Sequence, residues 1–509
     1  MAFVAYETPF APCGGIAAVM GRLPGHVQRA SGLPTVVITP YHHRIKRTTS
    51  LNADSVGTVT VPFDDSEIVV GIHRYQDELS WYFLRPDDER FFAGVRHPYD
   101  VGDRVSGNQG MRESGNEGMP DSLITDSLIR DSLFFGAAVA KALPIIESEA
   151  HCTLMMQDWQ TATVALALAN QRSEYELFLT LHNSYDSGAV GDNQLLAVGI
   201  DPGYCPGPPG RREATVLERA LLLTEQPVFT VSEQFALDLT EDLFQAEVMA
   251  PHLREALKPR LVGVNNGLFA DLAVGDDILD EAARGKFSPL RDWKAARREQ
   301  ALQSLGELVP SSPPMPALSK VEGLGGTEGG RPVWGDLARF KADDAPWFVL
   351  AGRDDPRQKG YDVAASAIAS FLERGGDARF LFFPIPGDEG LPGLGFLRKL
   401  SQRFPENVLV LPFLFKKGFF AALQGATYGV MPSLYEPFGM ANEFYLNGTV
   451  GIGRATGGIL QQIIPLRTAS SFSRAVQVRA DRWHTVSAHP TGILYRERDG
   501  LESAVRDWR

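Results

Sequence analysis

The residues best equipped for chemistry are two cations and one carboxylate, each in a loop framed by glycine or proline. Arg353 and Lys359 stand six positions apart in Gly352-Arg353-Asp354-Asp355-Pro356-Arg357-Gln358-Lys359-Gly360, between the apolar run Trp347 to Ala351 and an amphipathic stretch from Gly360 to Arg374. On such a loop both cations can converge on one diphosphate, with a helix N-terminus behind them. A diphosphate gains negative charge as its bond to a sugar breaks, so fixed cations stabilise the transition state more than the ground state. A solvated charged loop is the plainer reading, and the glycines at both ends argue against it. The carboxylate is Glu436, in Pro432-Ser433-Leu434-Tyr435-Glu436-Pro437-Phe438-Gly439, just past the apolar run Tyr428 to Met431. It can accept two sugar hydroxyls at once. The pair Thr456-Gly457-Gly458 follows and offers backbone donors nearby. A lone loop glutamate would simply be solvated.

Three further places carry weaker signals. Gly14 and Gly15 follow the opening apolar run and precede a helical stretch. Paired glycines there let backbone N–H groups approach a phosphate or sugar, and they equally serve a tight strand-to-helix turn. Asp158 ends the run His151 to Met156 and opens the next helix, as ligand-side carboxylate or as N-cap. His182 follows the run Glu176 to Leu181, where its ring can meet a sugar hydroxyl or stand as an ordinary satisfied polar group.

These residues need rigid elements beneath them. Short β-branched runs at 34–39, 176–181, 227–231, 347–351, 379–383 and 407–411 alternate with helix-like segments such as 161–171 and 360–374. That alternation predicts βαβ units, a parallel sheet and helices on both faces. A chain of 509 residues exceeds one core. The strand signal vanishes from Ala270 to about Ala345, where 286–305 reads as one polar helix, so two doubly wound domains are expected. Residues 310–330 are rich in Pro, Gly and Ser and read as a mobile linker, and 101–120 as a polar, Gly-rich insertion leading into a helix entry at 121–135.

Composition sets outer limits. Hydrophobic content of 44% with 22% charged residues is ordinary for globular proteins, and a net charge of −13 argues against nucleic-acid or membrane-surface partners. Three cysteines without a CxxC pattern fit a reducing cytoplasm. The N-terminus lacks the pattern of a signal peptide, and no apolar stretch reaches transmembrane length, so a soluble protein is expected.

Taken in order, G-G-I, D-W-Q-T, H-N, T-V-S, N-G, G-R through Q-K-G, E-P-F-G and T-G-G resemble the motifs of bacterial and archaeal glycogen synthases and plant starch synthases. The likeness runs from Ala2 to about Leu501, with 101–120 and 310–335 lacking a counterpart. It implies an α/β GT-B fold, two Rossmann-like domains facing a deep cleft: 1–269 on the glucan side and 270–509 binding the nucleotide-sugar, with 310–335 a flexible insertion. It implies a retaining transfer of glucose from ADP-glucose or UDP-glucose to an α-1,4-glucan, without cofactor or obligatory metal, in the cytoplasm. Carried over by position, Arg353 and Lys359 hold the donor diphosphate and Glu436 the transferred glucose. Gly14 and Gly15 face the donor, and His182 and Asp158 line the sugar end. Asn266, Phe438, Gly439, Thr456, Gly457 and Gly458 fall on the remaining substrate-binding motifs. The leaving phosphate itself helps deprotonate the acceptor.

The chain also departs from that pattern. Pro12 stands where the bacterial synthases carry a lysine, Gln157 where a histidine usually precedes Asp158, and Glu443 lies seven positions after Glu436, where many relatives of the fold place a second carboxylate eight on. Further helices are expected after Thr491-Gly492-Ile493, which points to a fragment or a divergent member. Two rival readings therefore stay open: a retaining transferase with a small acceptor, and a non-catalytic glucan-binding relic.

Overall fold

Nearly every apolar run becomes a strand. The structure, a computed structural model, describes residues 1–48, 51–94, 98–99, 126–146, 152–183, 185–209, 211, 213–242, 251–307, 332–340, 343–356, 358–387, 389–415 and 418–496. The expected insertion at 101–120 and the whole linker at 310–330 lie outside these. The chain divides into two compact units, Met1–Asn266 and Gly267–Arg509.

The first unit is built on nine strands: β1 (Ala2–Ala5), β2 (Val36–Pro40), β3 (Asp54–Phe63), β4 (Ser66–Gln76), β5 (Ser80–Pro86), β6 (Cys152–Gln157), β7 (Tyr175–Leu181), β8 (Val228–Thr230) and β9 (Leu261–Gly263). Their order in the sheet is β3-β4-β5-β2-β1-β6-β7-β8-β9. From β5 to β9 all neighbours run parallel. Every residue of β1 is buried, as a central parallel strand covered on both faces requires. Residues of the helix Ser127–Ile146 pack beneath, with Phe134 stacked on Phe91 at 3.9 Å between ring centroids.

The wholly parallel sheet expected from the alternation is extended by an antiparallel ribbon. β3 pairs with β4 and β4 with β5 antiparallel. The cause is legible in the residues: alternating Val and Thr in β3 give one buried and one wet face, and Asp64, at a φ of 49°, makes the tight reversal between Phe63 and Ser66.

The second unit holds β10 (Trp347–Arg353), β11 (Arg379–Ile385), β12 (Val408–Val410), β13 (Tyr428–Met431), β14 (Val450–Arg454) and β15 (Gly492–Tyr495), all parallel in the order β12-β11-β10-β13-β14-β15. The polar helix forms at Ser288–Gly306. Residues 332–335, assigned to the flexible insertion, are anchored instead: Trp334 N–H donates to Val410 O at 3.0 Å, and the Trp334 carbonyl accepts from Val410 N–H at 2.9 Å. No helix among the described residues is long and apolar enough to cross a membrane.

Both sheets reverse their winding direction once, between β1 and β6 and between β10 and β13. Loops leaving the carboxyl ends of the two strands at such a switch point diverge and open a crevice, where ligands of open α/β sheets bind. Gly14, Gly15, Asp158, Arg353, Lys359, Glu436, Phe438 and Gly439 follow these four strands, whereas His182, Asn266 and Thr456 to Gly458 follow β7, β9 and β14.

Candidate active-site residues

In the second unit the loops after β10 and β13 interlock. Leu434 N–H donates to Gln358 O at 2.7 Å. Gly360 has a φ of 60°, and a Cβ there would stand 2.3 Å from the Pro432 carbonyl oxygen, so only glycine lets the loops meet. Across this join Lys359 Nζ donates to Glu436 Oε2 at 2.6 Å, and Ser433 Oγ donates to the same oxygen at 2.8 Å. The lysine and glutamate side chains keep only 23% and 12% of their exposure, so this is a partly desolvated, charge-assisted contact rather than a surface ion pair. Arg353 ends β10 beside them in sequence, facing Asp355 Oδ2 at 3.8 Å.

The glycines after β14 act differently from expectation. Gly457 has a φ of 46°, and a Cβ there would fall 1.7 Å from the Glu436 carbonyl oxygen. Gly458 N–H, expected to serve substrate, donates to that same carbonyl at 3.2 Å. The pair is a seat for Glu436. Thr456 Oγ1 is buried without a hydrogen-bond partner among the described residues. Phe438 is buried with its ring edge-on to Phe269 at 6.3 Å, and its carbonyl accepts from Gln462 Nε2 at 2.6 Å. Gly439 follows with a φ of 86°, turning the chain into the helix Ala441–Leu446. These two residues shape the loop, and the Phe438 ring is a packing group. Glu443, in that helix, has both carboxylate oxygens buried with no hydrogen-bond partner found among the described residues, and burial pushes its pKa up.

Sequence reading missed two neighbours of Glu436. Ser433 lies in the same Pro/Gly-framed loop, but nothing in the sequence marks its hydroxyl as a donor. Arg454, the last residue of β14, is buried and donates through its guanidinium to the Leu434 carbonyl. An arginine ending an apolar strand was the available signal.

In the first unit, the carboxyl ends of β1, β6 and β7 bring four expected residues side by side. Asp158 is not the N-cap of its helix, a position held by Gln157. Its φ is 62°, a left-handed conformation uncommon outside glycine, and its Oδ1 accepts from His182 N–H at 2.5 Å on the neighbouring strand end. Burial raises its pKa to about 7, with N–H bonds from His182 and Asn183 acting the other way and Glu7 adding to the rise. His182 Nε2 meets Gln157 Oε1 at 2.7 Å, and Gln157 Nε2 donates to Met155 O at 2.9 Å. The glutamine oxygen is thus the acceptor and His182 carries its proton on Nε2. Burial lowers the His182 pKa to about 4, so near neutral pH the ring is uncharged, a hydrogen-bonding group rather than a cation.

Gly14 and Gly15 lie at the exposed surface of the β1 loop. An unanticipated residue governs them: Glu7, only 2% exposed, whose Oε1 accepts from the N–H groups of Cys13, Gly14 and Ala17. Donors expected to meet a ligand anion meet the protein's own carboxylate. Asn266 stands apart from this group, in the loop after β9, two strands beyond β7, with its N–H donating to Val231 O at 3.1 Å.

Comparison with known proteins agrees with this picture. Residues 1–255 match the family model described as the starch synthase catalytic domain. Glycogen synthase from Koribacter versatilis is 27% identical over 522 residues, covering 98% of this chain and 88% of the relative. That of Oceanobacillus iheyensis is 23% identical over 474 residues, covering 91% and 83%. Among solved structures, the catalytic domain of starch synthase IV from Arabidopsis thaliana, bound to ADP and acarbose, superposes with a TM-score of 0.67 at 18% identity, over 100% of this chain and 92% of that one. The last likeness shows a GT-B fold. The family model spans half of the chain, the curated relatives most of it, and the chain belongs to the starch synthase catalytic-domain family.

Proposed function

We propose that this chain is a retaining hexosyltransferase that moves glucose from ADP-glucose or UDP-glucose to the non-reducing end of an α-1,4-glucan. The observation that carries the reading is the Lys359–Glu436–Ser433 cluster at the β10/β13 switch point of a chain in this family. The second unit is the nucleotide-sugar side and the first the glucan side.

Arg353 and Lys359 have the charge to hold the two phosphates, and their attraction grows as the departing diphosphate gains charge. Glu436 holds the glucose hydroxyls. Its contacts with Lys359 and Ser433 orient the carboxylate toward the sugar. No protein group is assigned as nucleophile: the donor phosphate leaves and takes the acceptor proton on the same face. His182 and Asp158 line the sugar end, where the uncharged His182 ring offers hydrogen bonds and no charge. The Gly14–Gly15 turn is assigned to the donor and Asn266 and Thr456 to substrate, while Phe438, Gly439, Gly457 and Gly458 serve the site by shaping and seating the loop that carries Glu436. Among the described residues Cys13, Cys152 and Cys205 form no disulfide, in keeping with the reducing cytoplasm proposed for the protein.

The test is transfer of labelled glucose from ADP-glucose, and separately UDP-glucose, into a glycogen primer. Incorporation by the wild type, reduced on the order of 100-fold or more in Glu436→Ala, is expected. Binding of nucleotide-sugar without incorporation would redirect the proposal to a small acceptor. Absence of both binding and transfer would sink it.

A further inference from the structure

We infer that Glu7 is a positioning residue for the transferase reaction, a built-in anion that fixes the shape of the Gly14–Gly15 turn. This rests on the transferase reading above. The geometry is that of an occupied anion site. Oε1 lies 3.0 Å from Cys13 N, 2.5 Å from Gly14 N and 3.2 Å from Ala17 N, and Oε2 accepts from the Tyr99 hydroxyl at 3.0 Å. Tyr99 is held in turn, stacked on Tyr6 with centroids 5.9 Å apart and planes at 19°. Four donors therefore converge on a carboxylate that is almost wholly buried.

Two adjacent glycines have more accessible backbone conformations than any other pair, so the turn needs something to select one. One carboxylate oxygen bound by three N–H groups does so, and bonds to an ionised acceptor are about twice as strong as neutral ones. The arrangement also sorts the turn's two sides. The Gly14 side is closed by Glu7, whose oxygens would lie 3.8 and 3.9 Å from a Cβ there, whereas nothing stands within 4 Å of a Cβ at Gly15. A ligand must meet the turn from the Gly15 side. Pro12, in place of the expected lysine, adds rigidity and no charge, which leaves the turn's geometry to Glu7. Because Glu7 is sealed behind the turn, it acts through that geometry and does not touch substrate.

The experiment compares Glu7→Ala and Glu7→Gln with the wild type in the glucose-transfer assay, with and without added formate, alongside amide hydrogen exchange of the segment 13–17. Glutamine keeps an acceptor oxygen and its amide can donate to Tyr99. The expected result for Glu7→Ala is a fall in kcat/KM for the nucleotide-sugar on the order of 100-fold, the scale of an approximately 1 Å misplacement. Glu7→Gln should stay within about 10-fold of wild type, neutral bonds replacing charge-assisted ones. Formate, a carboxylate small enough for the space left by the side chain, should restore part of the alanine variant's rate and slow exchange at 13–17. An alanine variant within about threefold of wild type, or a loss that neither formate nor glutamine relieves, overturns the inference while wild-type transfer upholds the activity. If the wild type itself transfers nothing, the transferase reading falls, and with it the catalytic part of this inference. The exchange data then still decide the rest: unchanged exchange at 13–17 in Glu7→Ala refutes anion control of the turn.

Discussion

Replacing Asp158 with asparagine should make the protein more stable in alkaline than in acidic buffer relative to wild type. Asparagine tolerates the left-handed backbone at this position and keeps an oxygen for the His182 N–H. What it removes is a carboxyl group whose pKa rises from 3.8 to about 7 on folding, mainly because burial disfavours its charged form. A raised pKa contributes stability that is complete below the unfolded value and is lost as pH rises through the folded one. At pH 5 the folded carboxyl group is protonated and the unfolded one largely ionised. At pH 8 both are ionised, and the wild type has lost about 3 kcal/mol from this group. The variant loses nothing over that interval. Any bond lost with Asn183 lowers both measurements alike and drops out of the comparison. Melting temperatures of both proteins at pH 5 and pH 8 are the assay, and the advantage of Asp158→Asn should grow by about 6 °C or more between them, at 2–4 °C per kcal/mol for a unit of this size. An equal advantage at both pH values, or a larger one at pH 5, would refute the reasoning that burial of charge dominates at this residue.

Two other substitutions probe the second unit. Gly457→Ala sets a Cβ against the Glu436 carbonyl at a positive φ, so the loop carrying Glu436 must move. Transfer should fall on the order of 100-fold with a melting temperature lowered by a few degrees, and a variant with wild-type turnover would contradict the seating role. Glu443→Gln replaces a buried carboxyl group, without a hydrogen-bond partner among the described residues, whose pKa is raised, so it should stabilise the protein above neutral pH, with the gain shrinking as pH falls and the wild-type group takes up its proton. Thermal melts across that range test it, and a gain that grows on acidification would count against it. The KM for nucleotide-sugar in the same variant reports whether Glu443 also meets the donor.

The α/β alternation was readable because buried parallel strands are continuous apolar runs, and 347–353 and 379–385 announce themselves that way. The ribbon of β3 and β4 was not read, since its half-wet faces alternate Val with Thr and charged residues and give no such run. Lys359 and Glu436 were legible as separate loop residues. Their contact was not, because it spans 77 positions and depends on how β10 and β13 pair. Glycines gave the turn positions but not their purpose. A glycine's hydrogen-bond partner is set by tertiary structure, and so the donors of Gly14 and Gly458 went to Glu7 and to the Glu436 carbonyl. Glu7 itself follows the first apolar run, yet Tyr99, its fourth donor, is 92 residues away.

The contact of Gly360 with Pro432 has a consequence for how such a site can be altered. With a backbone carbonyl filling the space of the missing side chain, and Leu434 tied to Gln358, neither loop has a shape independent of the other. In inheritance and in engineering the cation loop and the carboxylate loop then behave as one cassette. A chimaera that exchanges only one of them between relatives imports half a lock, whereas grafting both together carries the join intact. Divergence within the family is therefore freer at the side chains facing away from this seam than along it.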